Sequence, residues 1–315
     1  MAKYAYIKKK SHGTFRVVFE SYDGIVDDFI EDMILRRYSE STVSTYLGGL
    51  KVLFLFLKET GSDRLQEVAT ADLEEYGSFL RRLGRTENTR HTYLRIMKKF
   101  FSWLEEKGHI FIDPAASMVI GKPKRSVLPT PSAGDMKKLL AAPDSTTAFG
   151  IRDRAMIETA YSCGLRLGEL TSLDIFSISL DAGTLRIAGK GSKERTLPLS
   201  RHAVLWLKRY LSEVRDRLLG GDVDEAALWI SNFGGRIKSG TITLTFGKYS
   251  VEAGLKRISV HAVRRACATH MLQNGAHPVQ IQMMLGHKSL RTLSHYLKMT
   301  VKELSETHRK SRPGK

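Results

Sequence analysis

Cysteine is almost missing from this chain. Its two cysteines, Cys163 and Cys267, stand far apart among 315 residues. Neither sits in a metal-ligand spacing, which excludes a disulfide-stapled scaffold and points to buried thiols in a reducing compartment. A cytoplasmic location is expected. Long apolar runs are missing as well. A bilayer helix needs roughly 20 consecutive apolar residues, and the densest stretch, Val52 to Leu57, is bracketed by Lys51 and Lys58 and reads as a core helix. No membrane partner is expected. The amino-terminus is charged without an apolar core or a small-residue cleavage site, so no secretory signal is expected. Acids are in short supply, 33 against 50 Lys and Arg, for a formal net charge of +17. That excess calls for a polyanionic partner. Nucleic acid suits it better than a membrane, because no segment joins a basic face to an anchoring apolar one.

What is present describes two domains, each long enough to bury its own core, in a chain whose hydrophobic fraction of 42% is that of a globular protein. Residues 1–20 form a basic extension with Lys3, Lys8, Lys9 and Lys10. Its alternating Thr14–Phe19 reads as a short strand, an arm laid across DNA, or a loose tail. Residues 21–118 carry helical periodicity. Val43, Tyr46, Leu47, Leu50, Leu53, Phe54 and Leu57 form one stripe, with Ser39 and Ser41 as candidate caps and a stop near Gly61. Thr70 is expected to cap the next helix, with Asp72 and Glu74 in its first turn. Asn88 or Thr89 is expected to open another, with Tyr93, Ile96, Met97, Phe100, Trp103 and Leu104 inward. The opposite face of that helix holds Arg90, Arg95, Lys98 and Lys99, a single-sign face suited equally to solvent or to phosphates.

Residues 119–131 bring three prolines together with Lys122, Lys124 and Arg125, an extended basic linker. Ser132 to Asp135 is a capping box that opens the second domain, 132–315. Helices are predicted over Arg152–Tyr161, Leu205–Leu218 and Thr241–Ala253. Thr184–Ile187 and Arg195–Leu199 alternate as the strands of a hairpin whose turn carries Lys190 and Lys193 among glycines. Leu228–Ser231 reads as a further short strand. The last third concentrates chemistry. His261 and Arg264 share a helical face and can reach one anion. Asn274-Gly275 closes that helix, and Pro278 opens another with Val279, Ile281, Met284 and Leu285 as core contacts. Gly286 ends it just before His287. Tyr296 follows between core leucines, and Thr300 to Glu303 is a final capping box.

Cys163-Gly-Leu-Arg-Leu-Gly-Glu-Leu170, Gly189-Lys-Gly-Ser-Lys-Glu-Arg195, His261-Ala-Val-Arg264, Ala268-Thr-His-Met-Leu272, Leu285-Gly-His287 and Tyr296 together resemble the tyrosine recombinase (phage integrase-like) family, above all its Xer-type site-specific recombinases. The resemblance covers Ser41 to about Lys310. It assigns Arg166, Lys190, His261, Arg264, His287 and Tyr296 as the catalytic set. It implies a mainly α fold with a small β-sheet, an N-terminal helical bundle and an α+β catalytic domain forming a two-domain, C-shaped DNA clamp. It further implies a 3′-phosphotyrosyl intermediate and strand exchange through a Holliday junction. The partners implied are a double-stranded recombination site and a homo-tetramer, or a hetero-tetramer with a related recombinase, with the helix after Thr300 docking on a neighbour.

The chemistry of these residue types agrees with that assignment. A phenol attacking a phosphodiester adds charge to the non-bridging oxygens, and the planar forks of Arg166 and Arg264 suit those oxygens. Tyr296 needs a base, for which His261 is the candidate, and His287 would donate a hydrogen bond. Lys190 or its neighbour Lys193 would protonate the leaving 5′ oxygen. Glu169 reads as a support for the arginine. No carboxylate cluster suggests Mg²⁺, so no metal and no cofactor are expected. Arg90, Arg95, Lys98, Lys99, Lys122, Lys124, Arg125 and Lys193 are the candidate DNA-binding residues. Arg265 stands where the family often has histidine. Two other functions share parts of the pattern: a type IB topoisomerase-like relaxing activity, and a non-catalytic DNA-binding module, which would have no need of Tyr296.

Overall fold

The structure is a computed structural model that describes residues 23–62, 64–121, 123, 129–188, 194–220 and 226–286. It divides into two units, 1–127 and 128–315. The basic extension 1–20 and the Thr300–Glu303 capping box lie outside the described residues. No helix among the described residues is long and apolar enough to cross a membrane.

The first unit contains helices α1 (Asp23–Leu35), α2 (Glu40–Glu59), α3 (Thr70–Arg82) and α4 (Glu87–Glu106), with a short 3₁₀ turn at Leu65–Glu67. The predicted stripes face one core, in which Phe29, Leu50, Phe54, Tyr76, Phe100 and Leu104 are buried. Phe100 meets Phe29 and Phe54 edge-on at ring-centroid distances of 5.3 and 5.7 Å, an arrangement that suits aromatic quadrupoles. Ser39 caps α2 by accepting the Thr42 amide, as its sequence position implied. Two other caps differ from expectation. Thr86, not Asn88 or Thr89, caps α4, accepting the amide of Thr89. At α3 the N-cap is Ala69, whose amide donates to the Asp72 carboxylate at 2.8 Å, while the Thr70 hydroxyl donates to the Pro114 carbonyl. A distant carbonyl competes for that hydroxyl, and spacing along the chain does not reveal it.

The second unit is α+β. Its helices are α5 (Ala133–Ala141), α6 (Ala148–Cys163), α7 (Leu167–Thr171), α8 (Arg201–Glu213), α9 (Arg215–Leu218), α10 (Ser239–Glu252), α11 (Val260–Gln273) and α12 (Pro278–Leu285). Among the described residues, β1 (Ile178–Ser179), β2 (Thr184–Ala188) and β3 (Glu194–Pro198) form an antiparallel sheet in the order β1-β2-β3, with Ile187 opposite Arg195. The short β1 has too few residues for a period-2 signal. Ser132 and Asp135 form the capping box that opens α5. The helix predicted from Leu205 starts at Arg201 under a Ser200 cap and breaks at Val214, so α9 is separate. The strand expected at Leu228–Ser231 is reduced to single bridges, Asp174 with Ala227 and Ile230 with Arg236. Val279 is 43% exposed, not a core contact, whereas Ile281 and Leu285 are fully buried.

Helix α6 is the central rod of this unit and is buried on nearly all sides, its charged Arg152, Asp153 and Glu158 included. Arg152 donates to Asp153 and to the Ile230 carbonyl, and Tyr249 donates to Asp153, so the buried charges are paired. The rod ends at Gly164, which takes φ +58. A Cβ there would lie 2.6 Å from Leu285 Cδ2 and 3.3 Å from the Cys267 sulfur. Glycine thus lets the end of α6 approach α11 and α12. Gly164→Ala should lower the stability of the chain by about 1–3 kcal/mol through the left-handed backbone and the overlap, measured as a shift in urea midpoint.

Candidate active site

The site begins where Gly164 turns the chain out of α6. The turn places Arg166 at the N-cap of α7, and three residues later Glu169 reaches back so that its Oε2 accepts the Arg166 amide at 2.8 Å. This acid-to-cap contact is the ordinary chemistry of a helix start. Here it also aligns the two side chains, since Arg166 Nη1 donates to Glu169 Oε1 at 2.7 Å.

The same carboxylate collects more cations. Arg195 on β3 donates from Nη2 to Glu169 Oε1 at 2.9 Å, and Arg264 Nη1 lies 3.7 Å from Oε2. Burial pushes the Glu169 pKa up, but the hydrogen bonds from the Arg166 amide and from the Arg195 and Arg166 side chains, with the charge of Arg195, outweigh it and hold the group below its ordinary 4.5. Three guanidiniums against one carboxylate leave the cluster cationic.

The three arginines also meet at the C-terminus of α12, where a helix leaves its last carbonyls without partners. Arg195 Nε donates to the Met284 carbonyl at 3.1 Å, Arg264 Nη2 to the Leu285 carbonyl at 2.7 Å, and Arg166 Nη2 to the Gly286 carbonyl at 3.2 Å. The helix dipole favours cations at this end. Arg264 also donates to the Gly164 carbonyl at 2.7 Å. The two arginines expected to serve the non-bridging oxygens are unequal: the Arg166 side chain is 44% exposed, and Arg264 is 1% exposed.

His261 sits in the first turn of α11, whose N-cap Ser259 accepts the Ala262 amide. Partial burial, then the charges of Arg265, Arg264 and Arg166, lower its pKa below the ordinary 6.5. A neutral imidazole at neutral pH can accept a proton. His270, in the quoted Ala268–Leu272 segment, contacts the Tyr161 hydroxyl through Nδ1 at 2.8 Å and so ties α11 to α6.

The structure therefore brings Arg166 and Arg264 together around Glu169, with His261 in the field of both arginines. Lys190, Lys193, His287 and Tyr296 lie outside the described residues, as do Lys122, Lys124 and Arg125. In the first unit Arg95 is exposed and Arg90 and Lys99 are half-buried. Lys98 turns back on its own unit, its ammonium donating to the Ala116 and Met118 carbonyls at 3.0 and 2.7 Å. Sequence reasoning quoted Arg195 without giving it a role. Its one local signal is an arginine in the return strand of a hairpin, and only the fold shows what it reaches. Among the described residues, no group of three or more His, Cys, Asp or Glu is placed to hold a metal ion.

Because the folded pKa of Glu169 is depressed, its charge stabilises the fold above its ordinary 4.5 and this contribution is lost as pH falls through the lower folded value. Glu169→Gln should lower the thermal midpoint at pH 7 and show a shallower fall in stability below pH 4.5 than the parent, followed by circular dichroism.

The chain is similar to several known proteins. Residues 132–303 match the Phage integrase family, and residues 26–108 match Phage integrase, N-terminal SAM-like domain. Tyrosine recombinase XerD of Vibrio cholerae serotype O1 is 31% identical over 293 residues, which span 92% of this chain and 96% of that one. Tyrosine recombinase XerC of Shigella dysenteriae serotype 1 is 32% identical over 279 residues, spanning 88% and 92%. Among solved structures, XerA recombinase is 26% identical with a TM-score of 0.51, covering 94% of this chain and all of that one. XerH site-specific recombinase bound to difH substrate is 19% identical with a TM-score of 0.68, covering 96% and 93%, a likeness of fold. With the family match spanning more than half of its length, this chain belongs to the phage integrase family, as a Xer-type tyrosine recombinase whose activity is site-specific DNA recombination.

Proposed function

We propose that Tyr296 attacks the scissile phosphodiester and forms a 3′-phosphotyrosyl link, while Arg166 and Arg264 neutralise the charge that builds on the non-bridging oxygens. His261 takes the phenolic proton, Lys190 protonates the departing 5′ oxygen, and His287 donates to a non-bridging oxygen. The covalent link conserves the phosphodiester bond energy, so the reaction reverses on a new strand without ATP. The observation that carries the reading is the cationic cluster on Glu169 at the end of α12, one residue before His287 in the sequence. Preorganised guanidiniums of this kind are what a phosphoryl transition state needs.

On the same reading, residues 21–118 and the linker 119–131 hold duplex DNA through Arg90, Arg95, Lys99, Lys122, Lys124 and Arg125, with residues 132–315 as the catalytic domain. Lys193 adds a contact from the hairpin. Lys98, bound to two carbonyls of its own unit, has a structural task and contributes only its charge. A lambda integrase has been solved as a tetramer on a Holliday junction. A tetramer on two DNA sites, of this chain alone or with a related recombinase, is the assembly we infer here, acting in the cytoplasm.

A nicked suicide substrate carrying a candidate site tests the chemistry. The parent chain should yield a denaturation-resistant DNA adduct in the presence of a chelator, and Tyr296→Phe should yield none. DNA retention without any adduct would favour the non-catalytic alternative, and an adduct in the Phe variant would remove Tyr296 from its role. The lowered pKa of His261 leaves it neutral, and able to act as a base, to pH values below 6.5. The acid limb of the adduct rate should accordingly lie below pH 6.5, and Arg265→Ser should move it upward by removing a neighbouring positive charge.

A further inference from the structure

Three consecutive carbonyls, those of Met284, Leu285 and Gly286, each receive a different arginine, and the three arginines share one carboxylate. Two of these arginines have a task in the reaction proposed above. The third, Arg195, has none. Its side chain is 16% exposed on β3, a strand paired with β2, so a sheet rather than a loop fixes its origin. Its guanidinium lies against Gly286, where an added Cβ would come within 3.2 Å of Nη1 and 3.3 Å of Cζ. Gly286 has φ +61, a backbone that favours glycine, and a side chain there would press on Arg195.

We propose that Arg195 is a positioning residue for the strand-cleavage reaction: it holds Glu169 and the end of α12 in the register that lets Arg166 and Arg264 act on the scissile phosphate. This rests on the reading of the site given above. Arg166 and Arg195 donate to the same oxygen, Glu169 Oε1. A carboxylate shared between two guanidiniums binds each less tightly than it would bind one alone, so Arg195 leaves Arg166 able to turn its remaining donors to a phosphate. Without it, Glu169 would close on Arg166 and partly cancel the charge that the transition state uses. The Met284 carbonyl would also lose its donor beside the turn that carries Gly286 onward. Lysine is no substitute, because a point charge cannot span the carboxylate and the carbonyl as a planar fork does.

The test uses the full chain as Arg195→Gln and Arg195→Lys, with two forms of the nicked suicide substrate. One has the natural scissile phosphate, the other an uncharged methylphosphonate in its place. Both variants should retain DNA within about twofold of the parent affinity, since phosphate contacts spread over the chain dominate binding. The single-turnover rate of adduct formation on the phosphate should fall about 10- to 100-fold, the range for loss of a residue that orients an active group. On the methylphosphonate the deficit should shrink to a few-fold, because a transition state with one charge fewer relies less on the two arginines. A merely structural role would give the same fractional loss on both substrates, and that result overturns the proposal, as does parental speed on the phosphate. If Gln impairs folding, the Lys variant keeps a cation and the buried volume and decides the question. Absence of adduct from the parent itself would overturn the underlying reading and this proposal with it. A competent parent beside unimpaired variants would overturn this proposal alone.

Discussion

The second unit depends on one carboxylate. Glu169 is where a helix start, a strand and another helix converge, because it accepts from the Arg166 amide, the Arg166 guanidinium and Arg195, with Arg264 close by. Like-charged guanidiniums crowded into one corner would repel one another. The carboxylate and the carbonyls at the end of α12 are what make that crowding tolerable. The result is a cluster that is stable yet still cationic, which is the condition for recognising a phosphodiester under attack.

Packing prepares the place for it. The rod α6 ends at a glycine whose missing Cβ lets Leu285 and Cys267 close in. Both cysteines are buried, and burial pushes each thiol up to about 12. They serve here as small apolar fillers between α6, β3 and α11 rather than as nucleophiles. On α11, Ala266 is fully buried in the main core and Ala268 packs with Ile281 and Leu285 of α12, while Arg264 of the same helix reaches the Gly164 carbonyl.

Much of this was legible in advance, and the exceptions share a cause. Stripes such as Val43 to Leu57 report burial faithfully because helical period and a one-sided core follow from local geometry. Ser39 and Ser132 act as expected because capping is settled within a few residues. Thr70 was misread since its hydroxyl bonds to Pro114, 44 positions away. Val279 was misread because an apolar residue at helical spacing can still face solvent.

For the site the division is similar. The sequence by itself determined which chemistries are open to the chain: the excess of basic charge, the arginines three residues from an acid and from a histidine, and the glycine-flanked histidine and downstream tyrosine. Those relations are short-range, and a single chain segment enforces them. Only the tertiary structure decided that Arg166, Arg195 and Arg264, drawn from a helix start, a strand and another helix, share one carboxylate and cap three successive carbonyls. Electrostatic attraction acts through space, and the partners of a buried charge are chosen by which elements pack together, which no spacing along the chain records.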